Sequence, residues 1–181
     1  GDSEYIFTKN REPYTYNTST YLGMVLGVTQ ENPQAIAHFI QENIDTIDFT
    51  KLASYDKYYV IVPVQFAGVV RMIQIKFIEL FGRTIARDVE TSEYVKHATT
   101  VIPSNELFLS FGYENTTWGS GENRMNIPLP EDAGYGAMIA VAYYVIGKIQ
   151  KAHPALFKEN IAQYTEEISK VFGEEIKPIV E

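Results

Sequence analysis

Residues 133–147 contain no charged side chain, and the run is bounded by Glu131 and Asp132 before it and by Lys148 and Lys151 after it. Acids suit the positive end of a helix dipole and lysines the negative end, so the pattern predicts one helix opened by Glu131 and Asp132. A helix without a polar face must be buried, and the rest of the chain has to supply a core large enough to cover it. The run is shorter than the roughly 20 apolar residues a bilayer span requires, and Gly134, Gly136 and Gly147 dilute it further, so no membrane span is expected. His153 and Pro154 end this helix. Pro154 opens the next, in which Phe157, Ile161, Tyr164, Ile168 and Phe172 form an apolar stripe that Gly173 terminates.

The first two-thirds of the chain reads as a sheet with one short helix. Asn32 followed by Pro33 is an N-cap with proline at the first helical position, and Ile36, Phe39, Ile40 and Ile44 recur at helical spacing, so a helix is expected over 33–45. Tyr5 to Phe7 reads as a short strand. Tyr21 to Val28 is apolar with two glycines, which favours a buried strand over a helix. Tyr58 to Val64 is aromatic and β-branched, with Pro63 pointing to an edge strand.

The next run is ambiguous. Ile73, Ile75 and Phe77 alternate with polar residues as in a strand, whereas Val70, Ile73, Phe77 and Leu80 fit one helix face; the strand, paired in a hairpin with its predecessor, is preferred. Residues 82–104 read as a connection with a short helix, residues 106–113 as a further strand, and residues 115–130 as the longest loop. The fold expected is therefore α+β in one domain spanning 1–181: an antiparallel or mixed sheet of about four to six strands, a short early helix, and two long C-terminal helices packed on one face.

Charge and composition narrow the function. The net charge is −8, and the 15 Lys and Arg are scattered rather than gathered into a track for a phosphate backbone, so nucleic acid is not an expected partner. The absence of cysteine excludes disulfides, thiolate nucleophiles and sulfur-built zinc sites. His38, His97 and His153 form no metal-ligand pair by spacing, so no metal is expected. The compartment is open: the chain is cytoplasmic, or exported after removal of an N-terminal segment, since it starts at Gly1 rather than at a methionine.

Catalytic motifs fail on inspection. Trp118-Gly119-Ser120-Gly121 lacks the flanking glycines of a nucleophile elbow, because Trp118 and Glu122 stand where they should be. Gly134-Tyr135-Gly136 has the position of a phosphate-binding helix start, but Glu131 and Asp132 before it repel an anion. No nucleotide or other cofactor is therefore expected.

What remains is a loop rich in recognition chemistry: Tyr113, Glu114, Asn115, Trp118, Asn123 and Arg124 bring aromatic, amide and charged groups together. The leading expectation is a non-enzymatic binding or interaction protein of the inhibitor or immunity kind, which meets a protein or small-molecule ligand through this loop. One alternative is a small hydrolase using carboxylates among Glu106, Glu114 and Glu122. Another is an exported glycan-binding domain. Oligomeric state is not legible.

Overall fold

The computed structural model describes residues 18–99, 104–154 and 156–177, and side chains from residue 21 onward apart from 155–158. The strand expected over residues 5–7 lies outside these. Among the described residues the chain forms six α-helices and one sheet, in the order α1 (Thr18–Thr29), α2 (Pro33–Phe39), β1 (Lys57–Val62), α3 (Val70–Phe81), β2 (Ala86–Thr91), α4 (Ser92–Ala98), β3 (Leu107–Phe111), β4 (Arg124–Ile127), α5 (Tyr135–Ala152) and α6 (Leu156–Phe172). The strand order is β2-β1-β3-β4 and every pairing is parallel.

The parallel sheet overturns the expected antiparallel or mixed arrangement, and the reason lies in two segments. Residues 70–81 form a helix, not the second strand of a hairpin: Ile73, Phe77 and Leu80 are buried along one side while Ile75 and Ile78 face outward. A helix between β1 and the next strand carries the chain back to its starting edge, which makes the pair parallel. That next strand, β2, lies in the stretch read as a connection. Its charged Arg87, Asp88 and Glu90 hide the strand pattern, and Val89 is its one core residue. Charged residues of this kind protect a sheet edge from pairing with other chains.

Two further corrections follow. The segment from Tyr21 to Val28 is part of helix α1, packed on α5. Added Cβ atoms at Gly23 and Gly27 would meet nothing within 4 Å, so these glycines serve no close backbone approach. The strand expected at an edge, β1, is central, because Pro63 falls just beyond the ladder and removes no hydrogen bond from it.

Both faces of the sheet are covered, which is what an all-parallel sheet requires. One face sends Tyr58, Val60, Val62, Leu107, Leu109 and Phe111 against α3 and α5. The other sends Tyr59, Ile61 and Phe108 against Val95 of α4 and against Trp118. Helix α5 begins at Tyr135 rather than at Glu131, and is buried as its uncharged run demands, with Met138, Val141, Ala142, Val145 and Ile149 in the core. Helix α6 does not share its face of the sheet. It packs on α3, and none of its described side chains enters the main core.

Candidate functional site

The loop between β3 and β4 is a self-satisfied structure. Parallel neighbours are usually joined through a helix, whereas residues 112–123 make this crossover with one short 3-10 turn. Other groups must therefore bind the loop's backbone carbonyls. Arg124 does so: its Nε donates to Trp118 O at 3.0 Å, and its terminal nitrogens donate to the carbonyls of Thr116 at 2.7 Å, Thr117 at 3.0 Å and Gly119 at 2.6 Å. Asn115, 2% exposed, accepts from the amides of Thr117 and Trp118 and donates to Trp118 O. Gly119, at φ 72°, lies so close to the Phe108 ring that an added Cβ would sit 2.5 Å from it; only glycine fits.

The six residues expected to form a binding surface thus separate into two groups. Trp118 is 6% exposed and packs with Tyr59, Ile61 and Phe108. Asn115 and Arg124 spend their polar groups within the loop. Asn123 donates to Ser104 O at 2.8 Å and accepts from the Tyr55 hydroxyl at 2.8 Å. Tyr113 is half-buried beside Trp118, and Glu114 is exposed. Hot-spot composition in a sequence does not distinguish a surface that binds a partner from a loop that binds itself. Replacing Arg124 with lysine, which keeps the charge but loses the planar fork, should cost about 1–2 kcal/mol in urea unfolding.

The carboxylates considered for hydrolysis stand in separate surroundings. Ser104 donates its hydroxyl to Glu106 at 3.0 Å. Glu122 is held below the usual range by its own backbone amide and by Ser120, the reverse of what a general acid needs. The carboxyl of Glu90 is pushed up by burial and by Asp88, and it stands on β2, away from the loop.

Open parallel sheets hold ligands where the strand order reverses, here beyond the carboxyl ends of β1 and β3. The exits are covered by the start of α5 and by the connection that leads to it. The Tyr135 hydroxyl donates to Gln65 O at 2.9 Å, with its ring against Phe66 and Gly68, and Leu129 packs on Gly112.

The anion position at the start of α5 is filled from within. The Glu31 carboxylate accepts from the amides of Gly134 at 2.9 Å, Gly136 at 2.7 Å and Ala137 at 2.9 Å. Burial opposes its ionisation, yet these amides outweigh it and hold the carboxyl below its ordinary range. The adjoining cleft of about 530 Å³ is lined by Glu31, Asn32, Phe39 and Asp132.

A second cleft, of about 460 Å³, lies between the end of α3 and α6, and its walls include Ile78, Leu80, Phe81, Ile161 and Tyr164, with Arg83 at the rim. Such a volume with mostly apolar walls is typical of binding sites. Arg83 makes no hydrogen bond or ion pair among the described residues, so its charge is open to a partner. Beyond the cleft, an apolar row continues along α6 through Ile168. Tyr164, Val171 and Phe172 on this row are 57, 75 and 66% exposed.

The reason lies in which border of the stripe α6 packs with. Among the described side chains of α6 the buried one is Thr165, whose hydroxyl donates back to the carbonyls of Ile161 and Ala162; the half-buried Ile161 and Ile168 flank it, so the helix meets the protein along one border of its apolar stripe and leaves the Tyr164 and Val171 border open. The sequence stripe was legible, apart from Phe157, whose side chain lies outside the described residues. What it packs against was not. No protein family, curated protein or solved structure matches this chain.

Proposed function

We propose that this is a non-enzymatic binding protein that docks a partner on the α3–α6 face. The observation that carries the reading is the open border of the α6 stripe: Tyr164, Val171 and Phe172 are left exposed, continuous with an apolar cleft and flanked by an unpaired cation. Contiguous exposed apolar surface rimmed by polar residues is characteristic of interaction sites. The polar residues of the cleft include Glu79 and Arg83.

The chain has no cysteine, so one introduced thiol reports from one place. A nitroxide on Gln163→Cys, at the rim, should lose mobility when a partner docks, while the same label on Ala53→Cys, outside the face, should not. A partner that binds without slowing the Gln163 label sinks the reading. The dye 1-anilinonaphthalene-8-sulfonate gives a partner-free check: it should bind the native protein and bind less to Phe172→Glu.

A further inference from the structure

Resting on that reading, we propose that the partner on the α3–α6 face is a second copy of this chain, with the two α6 helices antiparallel about a two-fold axis. The argument starts from the positions of a projection and a recess on the same helix. Val171 and Phe172 project from the C-terminal end of α6 with most of their surface exposed, and the cleft framed by Ile78, Phe81, Ile161 and Tyr164 lies toward its N-terminal end. From Tyr164 to Phe172 the helix rises about 12 Å, and Ile168 lies between them on the same row. Turning a second α6 end for end over this row places its Phe172 above the cleft of the first copy. The two-fold axis then places the first copy's Phe172 above the second cleft. Such a surface is complementary to itself, which is the condition for a closed isologous dimer.

The charges agree with that register. Arg83, at the rim of the cleft, has no partner among the described residues, and neither does Glu174, two positions past Phe172. Seating Phe172 of one copy in the cleft of the other carries Glu174 toward Arg83, once on each side of the axis. Glu175 is already paired with Lys177 at 3.0 Å, which leaves Glu174 as the free acid. Opposite charges at the rim of an apolar contact fix its register and reject misaligned pairings.

Sedimentation velocity from micromolar to millimolar protein tests this, with dye binding measured in parallel at the lowest concentration. The full chain should associate to a dimer. Phe172→Glu should weaken association about thirtyfold or more, as loss of a central aromatic anchor does. Arg83→Glu and Glu174→Arg should each weaken it roughly fivefold to tenfold, and the double variant should regain most of the loss. All three side chains are exposed, so the fold should survive, and circular dichroism checks that it does. A dimer that Phe172→Glu leaves intact, or a charge-swapped variant no tighter than either single one, overturns the antiparallel pairing. A chain that stays monomeric while Phe172→Glu still lowers dye binding overturns self-pairing but leaves the docking face standing. A monomer whose dye binding Phe172→Glu does not change removes both.

Discussion

Trp118→Ala is expected to destabilise the protein by about 3–5 kcal/mol, the cost of removing a large buried aromatic side chain. The indole fills the space beneath the 112–123 crossover, on the face of the sheet opposite α3 and α5, and there it meets Tyr59, Ile61, Val95 and Phe108. A helix would normally cover that part of a parallel sheet, so one side chain does the work of an element. The loss should be read by circular dichroism in urea, since the variant has no tryptophan. A cost below about 1 kcal/mol, within the range of ordinary surface substitutions, would mean that the ring is not in the core. In the native protein the same burial should give blue-shifted fluorescence that acrylamide quenches poorly.

Glu31→Ala should cost about 2 kcal/mol. The carboxylate accepts three amide hydrogen bonds at the start of α5, and bonds to a charged group are worth more than neutral ones, although partial exposure to solvent reduces each. Because Glu31 has a folded-state pKa below its ordinary 4.5, its contribution is fully present above the unfolded value and is lost as the pH falls through the folded one. Stability profiles of the native protein and Glu31→Ala should therefore lie apart at neutral pH and converge in acid. Profiles that stay parallel down through the acid range would show that ionised Glu31 does not cap the helix. Gly136 sets a steric limit on the same contact, since an added Cβ would lie 2.7 Å from a Glu31 oxygen and 2.5 Å from Leu26.

What could be read from the sequence follows from how locally each element is determined. Helix α2 carries its own start signal in Asn32 and Pro33, whose side chain and ring cap and open it as expected. The buried α5 follows from a run of uncharged residues that no other environment accepts. Strands β1 and β3 are rich in residues that suit a pleated surface.

Elements that depend on distant partners were misread. Residues 70–81 satisfy two periodicities at once, and the choice is made by the sheet face on which Ile73 and Phe77 come to lie. Strand β4 is only Arg124–Ile127, with Met125 and Ile127 inward, and it lies inside a stretch whose glycines and prolines otherwise signal a loop. The unexpected direction of the sheet follows from these, because a helix taken for a strand removes the crossover from β1 to β2, and a strand taken for a loop removes the one from β3 to β4.

The site was less legible than the fold, for a physical reason. Arg124 and Asn115 are as suited to binding their own backbone as to binding a ligand, and composition does not record which they do. The open row on α6 is invisible for the opposite reason: Tyr164 and Phe172 share a stripe with the half-buried Ile161 and Ile168, and the pattern does not record which border of it meets α3.

The strand order also dictates a sequence of events during synthesis. Strands β1 and β2, with α3 between them, are all available to pair once residue 91 has left the ribosome. The other edge of β1 must wait for β3, which is delivered by a connection that passes over the finished pair. Until then Tyr58 to Ile61 present unpaired backbone groups among apolar side chains, a template for pairing with a neighbouring chain. The completed protein guards its β2 edge with charge; the newborn one has only the rate at which β3 arrives.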